Sequence, residues 1–244
     1  MGWWYLLAGV LLVAALAGSP CAAEEFEDPS AKVRPVKIVC FGDSITFGTG
    51  AEKPQRQGYP WQLQKMLTLR HPDIAIEVVN AGIPGQDTRD GLKRIDEVLE
   101  TEAPDWLLIM YGTNDLWDSR GIDLDETDAN LREMVRRARA AGASVIIGTL
   151  GPVWGMDEKV AALNRVIKAV AIEEHLPFAD INLALARELR QAGGLALKAA
   201  WMELYSWSEG DEGVHPNERG YRVIAREWAS VLTLERAVGH GPAQ

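Results

Sequence analysis

Charged residues are absent from the first 23 positions, cysteine is scarce throughout, and positive charge is in short supply everywhere. Each shortage excludes something. Lys and Arg number 25 against 35 Asp and Glu, a formal net charge of −10 at a sequence pI near 5.0. A chain of that balance repels nucleic acid, which rewards a basic face, and is not drawn electrostatically to anionic lipid. The cysteines are Cys21 and Cys40. If the first lies in a removed leader, one thiol remains, no internal disulfide can form, and the core must hold without covalent staples. Cys40, within Lys37–Phe41, reads as a small buried hydrophobe rather than a nucleophile. No Cys/His cluster or His-Glu pair has metal-ligand spacing, and the glycines at 42, 48 and 50 do not form a phosphate-binding fingerprint. No apolar run reaches the roughly 20 residues that a membrane-spanning helix needs.

What is present is typical of a folded soluble domain: 47% hydrophobic and 25% charged residues in 244 positions, enough for one sizeable core and short for two. The apolar run Trp3–Ala17, then Gly18-Ser19-Pro20 and Cys21-Ala22-Ala23, has the h-region and small-residue cleavage zone of a secretory signal peptide. Residues 1–23 are therefore expected to be a leader cut after Ala23, with an uncut anchor as the alternative. Residues 24–35 are charged, contain two prolines and show no periodicity, as a linker does. Residues 36–237 then form the domain, and 238–244 a tail. The chain is expected to be exported, to the periplasm or beyond.

Within the domain, short apolar runs alternate with helical spacing. Val36–Phe41, Ala75–Asn80, Trp106–Tyr111, Ser144–Leu150 and Pro177–Ile181 read as strands. Between them Trp61–Leu69, the set Leu92, Ile95, Val98 and Leu99, the set Leu131, Met134, Val135 and Ala138, and the set Val160, Leu163, Ile167 and Val170 mark helices. A last helix begins near Asn217. Uniformly apolar strands separated by amphipathic helices predict a mainly parallel five-stranded sheet covered on both faces, a three-layer α/β/α domain of flavodoxin-like type. Function in such sheets gathers in the loops at the carboxyl ends of the strands. Residues 191–214, with glycines and then Trp201, Tyr205 and Trp207, break the alternation, and the segment 192–214 is a candidate lid.

Four short segments fall at those ends: Gly42-Asp43-Ser44-Ile45 after strand one, Asn80-Ala81-Gly82 after strand two, Gly112-Thr113-Asn114-Asp115 after strand three, and His215-Pro216-Asn217 before the last helix. Parallel strands bring the first three loops side by side. Ester cleavage wants such groups: a serine needs a base to take its proton, the base needs a partner that fixes its tautomer, and the oxyanion needs preorganised donors. Taken alone, Ser44 after Asp43 reads as a helix cap, and Asp43 and Asp115 read as turn-holding residues. Of the 4 histidines, His71 and His175 close helices and His240 lies in the tail, which leaves His215.

The four blocks, in this order and in this strand context, resemble those of the SGNH (GDSL-type) hydrolases from Val36 to about Trp228. The resemblance implies Ser44 as nucleophile, His215 as base, and the Ser44 amide, Gly82 and Asn114 as oxyanion donors. It implies hydrolysis of esters or thioesters with no metal or organic cofactor. The family pattern places an aspartate three residues before the histidine, where this chain has Glu212. Glu212 is the expected partner of His215 by position, and Asp211 is the alternative. The blocks look closer to the lysophospholipase, arylesterase and thioesterase branch, with carbohydrate acetyl esters as the other substrate class. Trp117 and Trp154, after strands three and four, are candidate substrate contacts. A non-catalytic flavodoxin-like binding module is the reading from another class. Oligomeric state is left open.

Overall fold

The computed structural model describes residues 34–191, 197–208, 210, 211 and 213–234. The expected leader (1–23) and tail (238–244), nearly all of the linker, and Glu212 lie outside the described residues. The elements run β1 (Val36–Gly42), α1 (Ser44–Phe47), α2 (Pro54–Gln57), α3 (Tyr59–Arg70), β2 (Ile76–Gly82), α4 (Thr88–Glu102), β3 (Trp106–Met110), α5 (Leu124–Ala140), β4 (Ser144–Gly148), α6 (Asp157–Glu173), β5 (Phe178–Ala179), α7 (Ile181–Gln191), α8 (Leu197–Met202) and α9 (Glu218–Val231). Two short 3₁₀ turns, Asn114–Leu116 and Asp118–Arg120, follow β3.

All five strands are parallel, in the order β2-β1-β3-β4-β5. Alternate side chains enter two separate cores, as the two-residue period of a strand requires. Ile38, Cys40, Leu108, Met110 and Ile146 face Leu63 and Leu67 of α3, Leu185 of α7, and Ile224 and Trp228 of α9. Val39, Phe41, Leu107, Ile109, Val145 and Ile147 face Ile95, Leu131, Met134, Leu163 and Ile167 on α4, α5 and α6. Burial on both faces explains why the strands read as unbroken apolar runs. Desolvation pushes the buried Cys40 thiol well above the ordinary thiol range.

Helix starts follow from local chemistry. Asp87 and Asp90 form a reciprocal capping box at α4, Asp123 caps α5 through Glu126 N–H, and Asn217 caps α9 through the Arg219 and Gly220 amides. Outside the sheet, Gln64 of α3 accepts the Val78 N–H (2.7 Å) and donates to the Ile76 carbonyl (3.0 Å) along the free side of β2. Among the described residues no helix is long and apolar enough to cross a membrane.

The register pairs Gly42 with both Gly82 and Met110, so β2, β1 and β3 end at one level. The loops that follow therefore open side by side.

Candidate active site

Ser44 stands at the first position of α1, where β1 ends and the chain reverses. Asp43 caps that turn, its Oδ1 accepting the Ile45 N–H at 2.9 Å. The first-turn amides of a helix have no partner within it, and the Ser44 N–H bonds to nothing among the described residues. The serine is almost fully buried, 6% exposed.

His215 reaches the serine from the loop before α9. Its Nε2 lies 2.8 Å from Ser44 Oγ, and its Nδ1 lies 2.6 Å from Asp211 Oδ1. The same Asp211 oxygen accepts the His215 backbone N–H at 3.1 Å, so the carboxylate grips both the ring and the chain beneath it. With Nδ1–H held by Asp211, Nε2 carries the lone pair that accepts the serine hydroxyl. The expected partner, Glu212, falls outside the described residues; the carboxylate in contact with His215 is the alternative, Asp211. Its reach depends on the turn between them. Gly213 has φ +70°, which L side chains rarely adopt, and a Cβ there would lie 2.5 Å from Trp201 Nε1.

The donor side differs from expectation at one residue. Asn114 opens the turn after β3, and its Nδ2 donates to the Gln86 carbonyl at 2.8 Å, with a second proton to spare. Gly82, expected to lend its amide to the oxyanion, donates that N–H to Asn80 Oδ1 at 2.9 Å instead. Its missing side chain serves packing: a Cβ would meet the Phe47 nitrogen at 2.2 Å, where β2 passes α1. The glycine alongside Asn114 is Gly85, exposed, at φ +79°, its amide donating to nothing among the described residues.

The remaining expected residues divide. Asp115 is structural: it accepts Thr88 N–H (3.1 Å), Thr88 Oγ1–H (2.6 Å) and Thr127 Oγ1–H (2.8 Å), pinning the loop to α4 and α5. Burial raises its carboxyl above the ordinary range and these bonds partly offset that. Trp154 is tied to the histidine loop through its N–H on the Gly213 carbonyl (3.2 Å). Its half-buried ring meets Trp201 and Trp207 edge to face at 5.1 and 5.0 Å. Trp117 is half-buried against the α4–α6 side of the sheet.

A family model described as GDSL-like Lipase/Acylhydrolase matches residues 40–223. The chain belongs to that family. The hydrolase is 29% identical over 220 residues to an acetylxylan esterase of Geobacillus stearothermophilus, which covers 82% of this chain and 94% of the relative. It is 26% identical over 208 residues to the thioesterase 1/protease 1/lysophospholipase L1 of Escherichia coli, covering 83% and 85%. A crystal structure of a Geobacillus stearothermophilus acetylxylan esterase superposes with a TM-score of 0.69 at 27% identity, covering 82% of this chain and 95% of the other. The matched span carries all four sequence blocks. This chain is a carboxylic-ester hydrolase with the parallel α/β fold of that family.

Proposed function

We propose that the hydrolase cleaves acyl esters through an acyl-enzyme on Ser44, with His215 as base and Asp211 as its orienting acid. The observation that carries this is the unbroken line from Asp211 through both ring nitrogens of His215 to Ser44 Oγ, at 2.6 and 2.8 Å. Ser44 Oγ bonds to the ester carbonyl carbon as its proton passes to His215 Nε2. The tetrahedral oxyanion is held by the Ser44 amide, Asn114 Nδ2 and the Gly85 amide, the last replacing Gly82. Collapse breaks the bond to the alcohol oxygen, which leaves with the proton from His215. Water, deprotonated by the same histidine, then releases the acid and restores the serine.

The substrate class we propose is an acetylated carbohydrate. Support comes from the acetylxylan esterase relative, matched over 94% of its length. It also comes from the half-buried Trp154 and Trp207 beside the histidine loop, backed by the buried Trp201, since partly exposed indoles offer broad apolar surface to a sugar. Lysophospholipid- or arylester-like substrates are the second reading, supported by the Escherichia coli relative. Export belongs to the same proposal, supported by the uncharged apolar leader; the mature chain would begin at Glu24.

The test is hydrolysis of p-nitrophenyl acetate and p-nitrophenyl octanoate by the chain from Glu24 onward. Ser44→Ala is expected to be inert, Asp211→Asn to lose roughly 10²–10⁴-fold in kcat, and Glu212→Gln to stay near wild type. Preference for acetate agrees with the carbohydrate reading, and preference for octanoate turns it toward lipid. Equal turnover by wild type and Ser44→Ala overturns the serine mechanism.

A further inference from the structure

We propose that Arg94 is a positioning residue for the oxyanion side of the site, an inference that rests on the serine mechanism above. A lone arginine on a surface helix ordinarily points to water. Arg94 of α4 instead turns its guanidinium inward, across the carboxyl ends of three strands. Its Nε donates to Gln86 Oε1 at 2.6 Å and lies 3.1 Å from the Tyr111 hydroxyl. Its Nη2 reaches the Gly42 carbonyl (3.1 Å), the Ala81 carbonyl (2.7 Å) and the Tyr111 hydroxyl (2.5 Å). The guanidinium carbon sits 4.2 Å from the Phe41 ring centroid. Phe41 and Tyr111 themselves meet edge to face at 5.1 Å. Among the described residues no carboxylate forms an ion pair with Arg94. Its contacts are carbonyls, an amide, a phenol and an aromatic face.

The hydrogen-bonded contacts lie on the segments that lead to the reacting groups. Gly42 precedes Asp43 and the nucleophile. Ala81 ends in the loop that carries Gly85. Tyr111 follows β3 and leads to Asn114, and its hydroxyl also donates to Gln86 Oε1 at 2.9 Å. The side chain of Gln86 is thus clamped between Arg94 and Tyr111. Its backbone carbonyl in turn receives Asn114 Nδ2, and its neighbour Gly85 offers the free amide. Loop 83–87 is otherwise tied by the Ile83 N–H on the Gly42 carbonyl, a long Gln86 N–H contact to Ile83, Arg120 on the Gly85 carbonyl and beside Asp87, and the Asp87–Asp90 capping box at its far end. One guanidinium therefore sets the spacing between the nucleophile turn and two oxyanion donors. Such donors work only when held within about 0.5 Å of the productive position. The planar, forked cation suits this task because it satisfies several fixed acceptors at once.

Loosening donors that act on the transition state lowers kcat and leaves KM nearly unchanged. The experiment compares the chain from Glu24 onward with Arg94→Met, Arg94→Lys, Tyr111→Phe and Ser44→Ala. It measures kcat and KM on p-nitrophenyl acetate, Ki for an alkyl trifluoromethyl ketone that forms an anionic adduct on serine, and melting temperature. Arg94→Met is expected to lose roughly 10–100-fold in kcat, part of the 10²–10³ seen when a donor is removed outright. KM should hold within about twofold, and Ki should rise by the same factor as kcat falls. Arg94→Lys should recover part of the loss and Tyr111→Phe should show a smaller one. Wild-type kcat and Ki in folded Arg94→Met overturn the inference, as does a fall in melting temperature alone. Should Arg94→Met fail to fold, Tyr111→Phe decides by the same criteria. Turnover by Ser44→Ala would be a different failure, that of the serine mechanism itself.

Discussion

Asp43 stands one residue before the nucleophile with one carboxylate oxygen bonded and the other alone. Oδ1 takes the Ile45 N–H, while Oδ2 is buried without a hydrogen-bond partner among the described residues, as is the nearby Thr113 hydroxyl. Burial pushes the Asp43 carboxyl up to about 6; the Ile45 amide and the nearby His215 offset only part of that. In the unfolded chain the group titrates near 4. Between those values the folded protein binds the proton more tightly, so stability from this residue is greatest below pH 4 and falls as pH rises to about 6. Above that it is constant, and the buried charge costs about 3 kcal/mol. Asp43→Asn keeps an acceptor for Ile45 and removes the charge. Its melting temperature should exceed that of the wild type at pH 7.5, and the gap should close by pH 4. A gap of equal size at both pH values would count against this account. Residue roles were unevenly legible for the same local reasons. Ser44 and His215 stood out because each follows or precedes a recognisable element. The reach of Asp211 to His215 depends on the path of the backbone through Gly213, and Gly82 and Gly85 differ by whether a neighbouring asparagine captures the amide. Neither is written in residue type.

At the scale of elements, the loop from Tyr205 to Asn217 does the assembling. It starts and ends on a bridge between Tyr205 and Pro216, with the Ser206 N–H on the His215 carbonyl and the Gly213 N–H on Ser206. Gly213, left-handed like Gly210 earlier in the loop, is wedged between Trp154 and Trp201. Gly213→Ala should therefore suffer twice. The left-handed backbone costs an L residue about 1–2 kcal/mol, and the new methyl meets the Trp201 indole and the Trp154 Cβ. A drop of roughly 5 °C in melting temperature is expected, together with loss of kcat as Asp211 and His215 separate. Wild-type kcat in Gly213→Ala would show that the turn does not set the dyad. The helices flanking the sheet were readable from their apolar spacing, but α7 was not. Ile181 and Leu185 begin it, and their apolar run merges with a strand that spans only Phe178–Ala179. Arg94 was missed for a related reason: on an amphipathic helix a lone cation carries no signature of facing inward, and only the pairing of Phe41 with Tyr111 reveals the aromatic shelf it rests on.

For the molecule as a whole, the order of strands and the two cores followed directly from continuous apolar runs alternating with helices, because only a doubly covered parallel sheet buries both faces of every strand. Such a sheet still has two edges. β5 is too short to invite much, but β2 is seven residues long and has no strand beside its outer side among the described residues, the usual template for joining another chain. Gln64 lies along that side with its amide oxygen on Val78 N–H and its amide nitrogen at the Ile76 carbonyl. A side-chain amide carries the same donor and acceptor as a peptide unit, so one glutamine stands in for a sixth strand. Replacing it with alanine should leave turnover intact while raising light scattering on mild heating at high protein concentration. No rise relative to wild type would mean the edge is protected by something else. The residue thus closes the open side of β2 at Ile76 and Val78, ending the sheet within one molecule by the same hydrogen bonds that another strand would make.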